Sequence, residues 1–74
     1  MADKNLDCSG LSCPMPIVKI SQAIKELTSG QTLEITATDP AFEPDIAAWA
    51  GKTGNPLQGV KKEGGKIIAT VKKK

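Results

Sequence analysis

The stretch TLEITAT, which runs from Thr32 to Thr38, alternates polar and apolar side chains without a break. In a strand its apolar members, Leu33, Ile35 and Ala37, point to one side, and the threonines and Glu34 point to the other. A strand of this kind has one face packed against a core and one face in water. The stretch therefore predicts a sheet that is covered by helices on one face only.

The segments on either side of this strand complete a predicted order of βαβαββ. Two apolar stripes at helical spacing, one before and one after the strand, indicate two amphipathic helices. Glycine and proline mark the ends of the remaining segments. The predicted elements are a strand from Lys4 to Cys8, a helix from Pro14 to Ser29-Gly30, the strand Thr32 to Thr38, a helix from Glu43-Pro44 to Thr53, and strands from Leu57 to Glu63 and from Lys66 to Val71.

This order predicts the fold class as well as the elements. Crossovers between parallel strands are right-handed, so both helices would lie on the same face of a mixed sheet. Gly64-Gly65 would join the last two strands as a tight hairpin turn. We therefore expect an α/β (α+β) two-layer sandwich, in which a four-stranded mixed sheet carries two helices on one face.

Cys13-Pro14-Met15-Pro16 places a thiol directly before the first predicted helix. Proline is favoured at the first helical position, and Pro14 disfavours helical geometry at the preceding residue, as an N-cap requires. Because Pro16 has no N–H, the N–H of Met15 would be the main hydrogen-bond partner of the Cys13 sulfur. Cys13 is therefore the candidate catalytic residue, although the same pattern also fits a small apolar cap with prolines that only start the helix.

The chemistry open to Cys13 is narrowed by what the chain lacks. A thiol with a pKa of about 8.5 is only a few per cent ionised at neutral pH, and a helix N-terminus lowers that pKa by less than about one unit. The chain has no histidine, so a Cys-His catalytic pair is excluded. A thiol without a general base can still attack a disulfide or persulfide sulfur. The composition therefore favours sulfur exchange over hydrolysis.

Cys8 and Asp39 are the two possible auxiliary residues. Four residues separate Cys8 from Cys13, which is not the C-x-x-C spacing of a redox pair. Cys8 is either a half-buried residue at the end of a strand or a resolving thiol for Cys13. Asp39 follows the alternating strand and is expected near Cys13, where it either caps the second helix or orients a partner.

Length and charge set the broad class of the protein. The 74 residues are expected to form a single domain, residues 1–74, with a net charge of +2 carried by lysine alone. Without arginine, and with Phe42 and Trp49 at helical spacing, direct nucleic-acid recognition is not expected.

The sequence shows no targeting signal and no membrane-length apolar run, so a cytoplasmic protein is expected. Two cysteines without histidine do not complete a zinc site.

The segment from Leu6 to Pro16, LDCSGLSCPMP, resembles the Gly-Leu-x-Cys-Pro-x-Pro signature of the TusA/SirA-like sulfur-carrier family. The resemblance continues through Thr38-Asp39-Pro40, through residues 45–49 and through Lys52-Thr53-Gly54, and so covers nearly the whole chain. Asn55 departs from it, since many relatives carry histidine at that position.

The resemblance implies a specific activity. Cys13 would act as a sulfurtransferase residue that carries sulfane sulfur as a persulfide, with no other cofactor and no metal. Gly10, Pro14, Met15 and Pro16 would form the supporting turn. The implied partners are a donor, either a cysteine desulfurase or a rhodanese-like protein, and an acceptor such as a DsrE-like protein. The implied pathways are tRNA thiolation, sulfur oxidation and cofactor biosynthesis, and the carrier is expected to be a monomer.

Two other classes of function remain open at this point. A thiol-redox protein would cycle a disulfide between Cys8 and Cys13. A non-enzymatic adaptor would use the edge around Cys13 only as a binding surface.

Overall fold

The computed structural model describes residues 3–12 and 14–74 of the chain. Its element order confirms the predicted βαβαββ succession. The elements are β1 (Lys4–Cys8), α1 (Met15–Ile24), β2 (Thr32–Ala37), α2 (Phe42–Thr53), β3 (Leu57–Glu63) and β4 (Lys66–Lys72).

The four strands form one mixed sheet in the order β1-β2-β4-β3. β1 pairs with β2 in parallel, and β4 pairs antiparallel with both β2 and β3. In the register, Ile35 lies opposite Leu6 on one side and opposite Ala69 on the other. The alternating strand therefore occupies an interior position in the sheet, and its neighbours on the two sides run in opposite directions.

Both helices cover the same face of the sheet, as predicted. α1 packs on β1 and β2, α2 packs on β3 and β4, and the two helices contact each other. The hydrophobic core lies between the sheet and the two helices. The indole N–H of Trp49 also donates a hydrogen bond to the Ser21 hydroxyl at 3.1 Å, which joins α2 to α1. The largest fully buried side chains are those of Phe42, Ile20, Leu33, Ile35, Ile46, Val71, Pro16 and Cys8.

The end of α1 differs from the prediction. The α-helix stops at Ile24 rather than at Ser29-Gly30. Beyond it the chain continues in tighter turns, in which the N–H groups of Glu26 and Leu27 bond carbonyls three residues back. Leu27 still packs against the core, so the apolar spacing did not reveal where the α-helix ended. Gly30, with φ of +93°, serves the turn into β2 instead of capping the helix.

α2 begins earlier than predicted, at Phe42, and its N-cap residue is Ala41. The prediction that Asp39 caps this helix is therefore wrong. The Asp39 carboxylate accepts a hydrogen bond from the Ala41 N–H at 3.1 Å, and its carbonyl accepts one from Phe42 at 2.9 Å. Asp39 thus closes the turn that leads into α2, two residues before the cap. The other end is as predicted, with Gly54 as a left-handed C-cap.

The remaining boundaries agree closely with the prediction. β2 ends at Ala37, one residue before the predicted Thr38, and β4 extends one residue further, to Lys72. Gly64 and Gly65 form the turn between β3 and β4 with φ of +52° and +82°, the geometry that favours glycine in a two-residue hairpin.

The one-sided core predicts a difference between two isoleucines on neighbouring strands. Ile35 is fully buried on the helix-covered face, while Ile68, opposite Thr36 in the register, is half-buried on the other face. Ile35→Val should lower the free energy of unfolding by about 0.5–1.5 kcal/mol. The matched control Ile68→Val should cost about half of that or less, since fewer contacts are lost. Urea denaturation of both variants measures this, and equal losses would contradict the assignment of the core to one face.

Candidate functional site

Three connections meet at one edge of the sheet. β1 and β2 run parallel and both end at this edge, where Cys8 lies opposite Ala37. β4 starts at the same edge, because Ala37 also lies opposite Ile67. The loop after β1, the loop after β2 and the Gly64-Gly65 turn are therefore neighbours, at the edge where α/β sheets usually carry their sites.

Cys13, the predicted catalytic residue, lies outside the described residues, and its predicted closeness to Asp39 stays a prediction. The residues on both sides of it are held by hydrogen bonds. The Ser9 N–H donates to the Asp7 carboxylate at 2.9 Å, and the Leu11 N–H donates to the Cys8 carbonyl at 3.1 Å. Hydrogen bonding from the Ser9 side chain, together with the bond from its N–H, lowers the pKa of Asp7, which keeps that carboxylate ionised as an acceptor. The loop that leads to Cys13 is therefore a folded turn.

The start of α1 differs from the prediction that Cys13 is the N-cap of this helix. The N-cap of α1 is Pro14, one residue later than predicted, and the first helical hydrogen bond runs from the Val18 N–H to the Pro14 carbonyl. The Met15 N–H donates to the Ser12 carbonyl at 2.9 Å. A backbone carbonyl therefore accepts from this N–H, and because Cys13 lies outside the described residues, the predicted contact of its sulfur with the Met15 N–H stays a prediction.

The two prolines of the predicted supporting turn have different environments. Pro16 is among the fully buried side chains and anchors the start of α1 in the core. Pro14 and Met15 are exposed, and so is Ser12 on the other side of Cys13. The described neighbours of Cys13 on both sides thus lie at the surface, while Pro16 holds the helix in place behind them.

An apolar surface continues from this turn along the two helices. Met15 and Val18 are 42% and 41% exposed, which is unusual for large hydrophobic side chains in this small domain. Beside them lies a shallow groove of about 320 Å³ between α1 and α2. The groove is lined by Pro14, Ile17, Asp45, Ala48, Trp49 and Lys52. A partner protein could therefore contact apolar surface directly next to Cys13.

Gly10, the other predicted turn residue, connects the loop after β1 to the loop after β2. Its φ is +79°, in the left-handed region that favours glycine, and no heavy atom outside its own neighbours would meet a side chain placed there. The Gly10 N–H donates to the Thr38 hydroxyl at 2.9 Å. The sequence predicted Thr38 as the last residue of the alternating strand and as part of the Thr38-Asp39-Pro40 match to the family, but it did not indicate a role for the hydroxyl.

Cys8 is completely buried and not half-buried as predicted. It is a free thiol, and burial raises its pKa, with a further increase from the Asp7 charge and a smaller opposing effect of Lys19. Burial has this effect because the thiolate loses its hydration. Cys8 is therefore held as a neutral thiol on the covered face of the sheet, which makes it a poor nucleophile.

Asn55, the residue that departs from the family pattern in the sequence, lies at the opposite edge of the sheet. Its side chain is buried, donates to the Thr53 hydroxyl at 2.9 Å and accepts a hydrogen bond from the Lys74 N–H at 2.8 Å. Lys72, at the end of β4, pairs with Thr32 at the start of β2, which places this end of the chain away from the loop after β1. Asn55 thus ties the end of α2 to Lys74.

Within residues 3–12 and 14–74 there is no group of three or more His, Cys, Asp or Glu side chains that could hold a metal ion. Neither described helix has the length and apolar character needed to cross a membrane.

Comparison with known proteins places the chain in a family. The family model described as Sulfurtransferase TusA matches residues 4–73. The sulfur carrier protein TusA of Allochromatium vinosum is 45% identical over 71 residues, which are 96% of this chain and 93% of that protein. A protein of Aquifex aeolicus is 51% identical over 71 residues, but this chain spans only 36% of its length.

The fold also has a solved counterpart. The crystal structure of the SirA-like protein from Desulfitobacterium hafniense superposes with a TM-score of 0.82 at 21% identity, over 93% of this chain and 95% of that one. The topology matches at this low identity, and the family match covers nearly every residue of the sheet and both helices. The chain belongs to the TusA family of sulfurtransferases.

Proposed function

We propose that this protein is a sulfur carrier that accepts sulfane sulfur on Cys13 as a persulfide and passes it to a downstream protein. The observation that carries the proposal is the contrast between the surroundings of the two cysteines. Residues before and after Cys13 are exposed and hydrogen-bonded, whereas Cys8 is buried in the core. A thiol flanked by held, exposed residues can meet another protein's sulfur without a large rearrangement of the carrier.

The proposed step is an exchange between sulfur atoms. The Cys13 thiolate attacks the outer sulfur of a donor persulfide, R–S–SH. The S–S bond of the donor breaks as a new S–S bond forms, which gives Cys13–S–SH and the donor thiolate, R–S⁻. No electrons are gained or lost overall, and the acceptor repeats the same exchange on Cys13–S–SH. The reaction therefore needs a thiolate and a good leaving group, but no histidine and no metal.

The N-terminus of α1 supports this chemistry through its charge. Pro14, the residue after Cys13, is the N-cap of a ten-residue helix. The positive end of a helix dipole stabilises a nearby negative charge by about 0.3–1 kcal/mol. The thiolate of Cys13 is therefore stabilised only slightly. Slight stabilisation suits a thiol that first attacks as a nucleophile and later leaves as a thiolate, when the acceptor attacks the outer sulfur of its persulfide.

The surface around the turn fits a carrier that is contacted by more than one protein. Exposed Met15 and Val18, together with the groove between the helices, offer apolar contact area next to Cys13. The name of the Allochromatium relative, a sulfur carrier protein, supports the same assignment. We assign the donor to the cysteine desulfurases or rhodanese-like proteins and the acceptor to DsrE-like or similar relay proteins. We place the carrier in the cytoplasm as a monomer that serves tRNA thiolation, sulfur oxidation or cofactor biosynthesis.

A redox cycle between Cys8 and Cys13 is the weaker alternative. It requires Cys8 to attack or be attacked, yet its side chain has no exposed surface and its pKa is raised. A disulfide would require the end of β1 to open. A relay that uses Cys13 alone requires no such opening.

Mass spectrometry of the intact protein tests the relay. After incubation with a cysteine desulfurase and cysteine, the wild type should gain one sulfur atom, which a reductant removes. Cys13→Ser should gain none, and the control Cys8→Ala should gain sulfur like the wild type. Loss of two hydrogens that requires both cysteines would indicate the redox cycle instead, and no mass change in the wild type would indicate an adaptor.

The burial of Cys8 has its own pH-dependent signature. The folded state keeps this thiol protonated, while the unfolded chain loses the proton above an ordinary pKa of about 8.5. The native state then binds more protons than the unfolded state, so the contribution to stability is lost as pH rises. The stability difference between the wild type and Cys8→Ala should therefore shrink between about pH 8 and 10 in urea unfolding. A constant difference would contradict the burial of a neutral thiol.

A further inference from the structure

We infer that Thr38 is a positioning residue for sulfur transfer. Its hydroxyl attaches residues 9–12, the loop that leads to Cys13, to the end of β2. This inference rests on the proposed function, since it assigns Thr38 a role in the rate at which Cys13 exchanges sulfur.

The Thr38 hydroxyl connects the loop after β1 to the residue that follows β2. Ser9 and Leu11 donate hydrogen bonds to acceptors close by in sequence, on β1. The bond from the Gly10 N–H to the Thr38 hydroxyl spans 28 positions and is 2.9 Å long. It joins residues 9–12 to the residue directly after β2, whereas the bond from the Met15 N–H to the Ser12 carbonyl joins them to the start of α1. The Thr38 hydroxyl therefore contributes to the orientation of this loop relative to β2.

The position of Thr38 explains why a side chain is needed there. The parallel pairing of β1 with β2 ends at the pair Cys8–Ala37. Beyond that pair the chain after β1 turns away, and the backbone of Thr38 no longer pairs with it. The Thr38 side chain takes over and binds the turn two residues past the end of the ladder. Gly10, with φ of +79°, directs its N–H to this hydroxyl from a left-handed backbone.

This contact is suited to orientation more than to overall stability. Both residues are exposed, so water replaces the bond readily when the hydroxyl is removed. Leu11 also packs against the core and keeps the loop folded without it. Sulfur exchange, by contrast, requires the attacking, the transferred and the leaving sulfur atoms to lie in line. A loosely held loop would place the Cys13 sulfur in that arrangement for a smaller fraction of the time.

The chain permits a matched set of variants. Thr38→Val removes the hydroxyl but keeps the shape and the strand-forming character of the side chain. Thr38→Ser keeps the hydroxyl and removes only the methyl group. Thr36→Val makes the same change two residues earlier on β2, where the hydroxyl has no hydrogen-bond partner among the described residues.

The test measures the rate of persulfide formation on each variant with glutathione persulfide as donor, followed by intact mass. A small donor is used so that partner docking does not contribute. Thr38→Val should gain sulfur about three- to tenfold more slowly than the wild type, while Thr38→Ser and Thr36→Val stay within about twofold of it. The urea midpoint of Thr38→Val should stay close to that of Thr36→Val, which separates orientation from folding.

The outcomes distinguish this inference from the proposed function. A wild-type rate in Thr38→Val, or a rate in Thr38→Ser as low as in Thr38→Val, would overturn the role of the hydroxyl and leave the carrier assignment intact. A wild type that gains no sulfur from any donor would overturn the proposed function and this inference together.

Discussion

The parallel pairing of β1 with β2 is the constraint on which the rest of the structure depends. This register ends at Cys8 and Ala37, so the two chains leave the sheet side by side at one edge. The loop after β1 leads to Cys13, and the loop after β2 contains Thr38 and Asp39. A hydrogen bond from the Gly10 N–H to the Thr38 hydroxyl joins the two loops. The antiparallel β4 brings the β3–β4 turn to the same edge. A candidate site assembled from distant parts of a short chain thus follows from one pair of strands.

The periodic features of the sequence predicted the fold well, because burial on one face produces a repeat that can be read locally. The alternation from Leu33 to Ala37 and the helical spacing of Phe42 and Trp49 gave the correct faces of β2 and α2. The end of α1 was missed for the same physical reason. Leu27 stays on the core side whether the backbone continues as an α-helix or tightens into three-residue turns. Side-chain spacing reports which face is buried, and it reports hydrogen-bond pattern only indirectly.

The candidate site was predictable in its residue types and less so in its contacts. Prolines at positions 14 and 16 correctly marked the start of a helix, but they did not indicate that the Met15 N–H donates to the backbone carbonyl of Ser12. The full burial of Cys8 could not be read from a five-residue strand with acidic Asp7 inside it. The contact of Gly10 with Thr38 joins positions 28 apart, and no local pattern encodes such a pair.

The absence of histidine is consistent with this arrangement of residues. An active site that hydrolyses a bond must move protons at a defined atom, which a Cys-His pair does. Exchange between persulfides transfers a sulfur atom from one thiolate to another, so what the protein must supply is access and orientation. The buried Pro16 and the hydrogen bond between Gly10 and Thr38 provide orientation. The exposed neighbours on both sides of Cys13 provide access. Orientation at the end of β1 and β2 is therefore the property on which the proposed transfer depends.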